Sequence, residues 1–140
     1  MENIAFIYLL LAIISCNHEK SICTDSSHDT LTLVNQSDTR IYSHYYWNYP
    51  DTSIGEYDPV WDMSGGILPG NNEDISRVAR DGCLEELYSD GRKEWLYIFN
   101  ADTIETLDWN IVRSTQRGFL TRIELSLSQM NNSNFIVIYE

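Results

Sequence analysis

From Thr30 to the C-terminus the chain switches repeatedly between short apolar runs and clusters of turn-forming residues, the pattern of a domain built mostly from strands. Leu31 to Asn35 is the first run; Gln36-Ser37-Asp38 then supply turn chemistry before a longer one, Thr39 to Tyr49. The two are predicted to pair as a hairpin. Successive side chains of a strand point to opposite sides, so Ile41, Ser43, Tyr45, Trp47 and Tyr49 share one face and Tyr42, His44, Tyr46 and Asn48 the other. Pro50 and Asp51 end the run. Pro50, Pro59 and Pro69, with Gly55, Gly65, Gly66 and Gly70, punctuate the segment up to Asn72, which reads as irregular loop with at most one short strand.

Glu73 to Arg80 alternates (Ile75, Arg77 and Ala79 against Ser76 and Val78) and is predicted as a strand, with a helical turn as the alternative. Cys83 to Tyr88 suits a short helix. Trp95-Leu-Tyr-Ile-Phe99 and Phe135-Ile-Val-Ile-Tyr139 are apolar on both faces and rich in β-formers, which predicts central, buried strands. Between them Phe119, Thr121, Ile123, Leu125 and Leu127 alternate with Leu120, Arg122, Glu124 and Ser126, the mark of a strand with one face in solvent. Asp108 to Arg113 and Ser126 to Met130 are short helix candidates, the second with Ser126 and Gln129 at capping-box spacing. The expected fold class is mainly β (α+β), an antiparallel sheet or β-sandwich with two or three short helices.

The N-terminus carries a different signal. Ile4 to Ile14 is an uncharged apolar run, too short to span roughly 30 Å of hydrocarbon and typical of the core of a signal peptide. It ends in Ile13-Ile14-Ser15-Cys16, which resembles the lipobox of bacterial lipoproteins: branched apolar residues, a small residue, then the cysteine that receives diacylglycerol before cleavage. The resemblance implies a signal peptide over residues 1–15 and lipidation at Cys16. Asn17 to Thr30 holds almost no apolar residues and reads as a flexible tether, so that residues 31–140 form a single β-rich domain.

Setting Cys16 aside leaves Cys23 and Cys83, an even pair in a compartment that permits disulfides. The pair is either bridged or present as two free thiols. His18 and His28 fall in the tether and leave only His44 in the domain, so a histidine-rich metal site or a histidine-based triad is hard to build. No G-x-S-x-G, H-E-x-x-H, C-x-x-C or phosphate-cradling glycine loop occurs. The expectation is therefore a protein that is not an enzyme and holds no cofactor or metal.

The 140 residues carry 21 acidic side chains against nine Lys and Arg, a formal charge of -12. Such a balance repels phosphate backbones and excludes nucleic acid as a partner. Carboxylates crowd between Asp51 and Asp108, where Arg77, Arg80, Arg92 and Lys93 are the only fixed cations, so this face suits Ca²⁺ or a basic partner; with no D-x-D-x-D-G loop present, a solvated acidic surface is favoured over a calcium site. Tyr42, Tyr45, Tyr46, Trp47, Tyr49, Tyr57 and Trp61 form an aromatic cluster; those left exposed would stack on sugar rings or anchor a protein. The competing reading is that they fill the core.

An N-x-S-D-x-x-I-Y strand (Asn35, Ser37, Asp38, Ile41, Tyr42), then Tyr49-Pro50-Asp51-Thr52-Ser53, I-F-N-A-D-T-I (Ile98 to Ile104) and a closing L-S-L-S-Q-M-N follow the lipobox and tether. In this order they resemble small uncharacterised lipoproteins of Bacteroides-type bacteria, a family with no activity to transfer. Asp29-Thr30-Leu31 and Asp102-Thr103-Ile104 resemble the acceptor pattern for O-glycosylation in that bacterial group, which makes Thr30 and Thr103 candidate sites. The expected function is a lipid-anchored module of the cell envelope, tethered to the membrane through its N-terminal lipid, palmitate included, and held at the outer membrane on its periplasmic or surface side. There it would bind a glycan or protein. The alternative is an immunity or inhibitor protein whose acidic face neutralises a basic toxin or enzyme, and a small glycan hydrolase ranks third.

Overall fold

The run Trp95–Phe99 is apolar on both sides and needs cover on both, which it receives in the middle of a sheet. The computed structural model describes residues 22–61, 65–76 and 82–140. Its strands are β1 (Thr30–Asn35), β2 (Ile41–Tyr46), β3 (Asn72–Ser76), β4 (Lys93–Asn100), β5 (Phe119–Ser126) and β6 (Ile136–Tyr139). They form two three-stranded sheets, ordered β3-β1-β6 and β2-β4-β5. Four short helices connect them: α1 (Leu84–Leu87), α2 (Ala101–Ile104), α3 (Trp109–Thr115) and α4 (Leu127–Asn132). The fold is thus mainly β with short helical connections. Leu31 and Leu33 from the first sheet meet Leu96, Tyr97, Ile98 and Phe99 from the second in one core.

The hairpin expected between β1 and β2 does not form. β1 pairs antiparallel with β3 and parallel with β6, while β2 pairs with β4, so the intervening turn carries the chain from one sheet to the other. Asn35 makes this crossing. It is fully buried, donates through Nδ2 to the carbonyls of Thr39 and Ile67, and accepts at Oδ1 from the backbone and hydroxyl of Ser37. A side chain that satisfies two carbonyls at the turn holds Ile41 next to Ile67, its bridge partner, and not next to β1.

The C-terminal strand is also placed differently from expectation. β6 lies at the edge of its sheet, with Val137 turned to the core and Ile136 and Ile138 exposed at 39% and 50%. An apolar run on both faces reports composition, whereas position in the sheet depends on which strands find partners. β5 matches its reading. Its last residue, Ser126, also begins α4, because Ser126 Oγ accepts from the backbone of Gln129 and donates to that residue's side chain. The Glu73 to Arg80 strand is present over Asn72–Ser76; residues 77–81 lie outside the described part. The sequence pattern does not predict the helix Ala101–Ile104, which starts because the Asn100 side chain caps the backbone N–H of Thr103 at 2.8 Å.

The expected tether is fastened to the domain at Cys23 and His28, while Thr24, Asp25, Ser26 and Asp29 are exposed. Cys23 is disulfide-bonded to Cys83, with Cα atoms 5.7 Å apart. The ring of His28 stacks on Phe135 at 3.8 Å, its backbone N–H and Nδ1 both reach the Glu85 carboxylate, and its carbonyl accepts from Leu84 N. Burial works against the charged form of Glu85, yet the bonds from His28 hold its carboxyl below the ordinary value.

A charged knot closes the start of β2. Arg40 donates to Glu105, to Asp102 Oδ1 at 2.8 Å and to the carbonyl of Gly65, while the Tyr42 hydroxyl donates to Glu105 Oε1 at 2.7 Å. Arg40 first, then Tyr42, holds the Glu105 carboxyl below its ordinary 4.5. A carboxylate with a lowered native pKa contributes stability that is fully present above its unfolded value and is lost as pH falls through the native one. Urea midpoints measured from pH 6 down to pH 3 should therefore decline, and Glu105→Gln should flatten that decline; an unchanged slope would exclude Glu105 as a source of it.

Candidate functional site

The seven aromatic residues of the sequence cluster separate into a buried and an exposed set. Tyr42 and Tyr46 point into the core, as the faces of β2 require. Tyr45 is half-buried and donates to the carbonyl of Ile75, and Tyr49, also half-buried, donates to Glu124 Oε2. Lys93, then Tyr49, keeps the Glu124 carboxyl below its ordinary range. Trp47, Tyr57 and Trp61 are exposed at 70%, 49% and 83%. A tryptophan that leaves most of its ring in water forgoes most of its apolar burial, so Trp61 is the least expected of these in a purely structural role.

Tyr57 and Trp61 line an open groove of about 660 Å³ together with Glu56, Asp58, Leu107, Asp108, Trp109 and Asn110. Local chemistry builds each wall. On one side Tyr46 reaches out of β2 and donates its hydroxyl to the carbonyl of Tyr57 at 3.0 Å. Its ring lies so close to Gly55 that a Cβ there would overlap it, which makes glycine the residue that lets the chain pass. Burial raises the Tyr46 phenol above its ordinary value. Asp58 Oδ1 then accepts from Val60 N, its carbonyl accepts from Trp61 N, and the tight turn Pro59–Trp61 sets Trp61 at the rim. The ring of His44 stacks on that of Tyr57 at 5.2 Å.

On the other side Asp108 caps α3 by accepting from Asn110 N at 2.9 Å, which places Trp109 in the first turn of that helix. Phe99 backs Trp109 edge-on at 5.4 Å. The groove therefore combines three aromatic rings and one leucine with three carboxylates, from Glu56, Asp58 and Asp108. Arg113 lies on the flank of Glu56 at 3.9 Å and donates to the carbonyl of Ile54. Trp47 stands outside the lining.

Leu107 and Trp109 were absent from the aromatic cluster read from the sequence. They lie about fifty residues downstream, where the sequence pattern predicts a short helix from Asp108 to Arg113 and gives no sign that it faces Tyr57 and Trp61. The hydroxyl of Thr103 donates to Asn100 Oδ1 at 2.8 Å, so a glycan at that oxygen would displace this bond, while Thr30 opens β1 half-buried. Cys23 and Cys83 spend both sulfurs on their bridge and, with Glu86 beside them, offer no thiolate to a metal or substrate. Cys16 lies outside the described residues. Among the described residues no helix is long and apolar enough to cross a membrane. Compared with protein-family models, curated proteins and solved structures, the chain matches none.

Proposed function

We propose that this protein is a lipid-anchored, extracytoplasmic binding module that engages its ligand through the groove of Tyr57, Trp61 and Trp109. The exposure of Trp61 beside two further aromatic rings carries the reading. Exposed tryptophan and tyrosine give large contact area at low conformational cost and are enriched where most of the binding energy is concentrated. The rings are held by main-chain caps and by Tyr46, so little ordering is left to the moment of binding. The lipobox motif at Cys16 supports the anchor, which would confine the groove to encounters at the envelope.

Two measurements test this reading. Metabolic labelling with palmitate should mark the wild type and not Cys16→Ala; label in neither form would remove the anchor from the proposal. On arrays of glycans and peptides, Trp61→Ala should weaken binding by about tenfold or more, with an unchanged urea midpoint because the side chain buries so little. Equal binding by wild type and variant would overturn the groove as the recognition surface.

The inhibitor reading draws on the same place. The carboxylates of Glu56, Asp58 and Asp108 make the groove complementary to a basic surface, the arrangement by which a small acidic protein blocks a basic enzyme or toxin.

A further inference from the structure

Resting on the binding-module reading, we propose that the groove takes a cationic side chain, that of arginine above all, presented by a basic protein partner. The argument starts from what lines it. Trp61 and Trp109 supply aromatic faces, and the negative face of an aromatic ring, tryptophan most strongly, attracts a guanidinium or ammonium. Glu56, Asp58 and Asp108 add three carboxylates, and among the described residues no lysine or arginine shares the lining. Arg113 reaches Glu56 at 3.9 Å and donates to the carbonyl of Ile54, and among the described residues it forms an ion pair with neither Asp58 nor Asp108.

Those two aspartates are fixed before any ligand arrives. Each commits Oδ1 to a backbone N–H, of Val60 and of Asn110, at the start of a helical turn. A carboxylate oriented in this way attracts a cation without first losing side-chain freedom. The same aspartates discriminate against a neutral ligand. A sugar ring stacked on Trp61 would offer the carboxylates hydroxyl hydrogen bonds and no charge, whereas a guanidinium covers the rings and gives the carboxylates charge-assisted hydrogen bonds as well. The formal charge of -12 extends this preference over distance, since it draws basic partners in and repels acidic ones.

Isothermal titration calorimetry on the folded protein separates the possibilities with three probes: an arginine tetrapeptide, its citrulline counterpart and a neutral cello-tetrasaccharide. Citrulline keeps the shape of arginine and lacks its charge. The arginine peptide should bind at least about tenfold more tightly than the citrulline peptide, and should weaken as salt rises. Asp58→Asn with Asp108→Asn preserves an oxygen for each backbone cap and deletes both charges, so this double variant should fold normally and lose about tenfold in affinity for the arginine peptide. Equal affinity for arginine and citrulline, or an unchanged double variant, would overturn the cationic assignment. Heat with the tetrasaccharide alone would overturn it as well and leave the binding module standing. Silence with all three probes would count against both.

Discussion

Phe99→Ala is expected to lower the unfolding free energy by about 3–5 kcal/mol, the range for deleting a fully buried aromatic ring. Phe99 sits on the central strand β4, where its ring lies 6.2 Å from Tyr97, 6.1 Å from Phe119 and 5.4 Å from Trp109. The neighbours belong to β4, β5 and α3, elements already fixed by their own hydrogen bonds, so they cannot close over the space without breaking register. A domain of this size has roughly 5–15 kcal/mol of stability in total, and the substitution removes a large part of it. Urea unfolding followed by tryptophan fluorescence measures the loss directly. A fall of less than about 1.5 kcal/mol would mean that α3 settles into the gap and that the core is more plastic than its packing implies. Because the same ring backs Trp109, ligand affinity should fall alongside stability; Trp61→Ala, in contrast, should affect affinity alone.

The second large effect concerns the bridge between Cys23 and Cys83. The two cysteines are 60 residues apart in sequence, and closing a loop of that length restricts the unfolded chain by an amount equivalent to about 4 kcal/mol in the chain-entropy model. Alanine at both positions is the proper test, because Cys83 is buried and a serine hydroxyl there would add a separate burial term. The native contacts of the neighbouring segment do not depend on the sulfurs. His28 keeps its stack on Phe135 and its bonds to Glu85 and Leu84, so the double variant should retain the native circular dichroism spectrum while its urea midpoint drops. A change of less than about 1 kcal/mol would show that contacts, and not chain entropy, hold this corner.

Several features of the protein were legible without coordinates because they are local. The two-residue period from Leu31 to Asn35 and from Phe119 to Ser126, the apolar run at Trp95, and the spacing of Ser126 and Gln129 each concern neighbours in sequence, and each element formed where its pattern lies. Other features depended on one side chain with two local options. Asn100 follows the apolar run Trp95–Phe99 and also caps a helix, and Asn35 ends the first strand run and is also the buried link between the sheets. Asparagine hydrogen-bonds equally well to its own turn or to a distant carbonyl, so periodicity cannot distinguish these roles.

The sequence by itself determined the element types apart from the helix Ala101–Ile104, the mainly β class and the acidic charge, because propensity, periodicity and composition act over a few residues or over the whole chain without regard to position. It also identified Tyr57 and Trp61 within an aromatic cluster whose exposure it could not assign. The tertiary structure decided which strands pair, that β6 runs parallel to β1 at an edge, and that Leu107, Asp108 and Trp109 face Tyr57 and Trp61 across one groove. Those outcomes depend on contacts between residues tens of positions apart. Their free energy comes from burying a shared core, which is a property of the assembled elements and of no single segment.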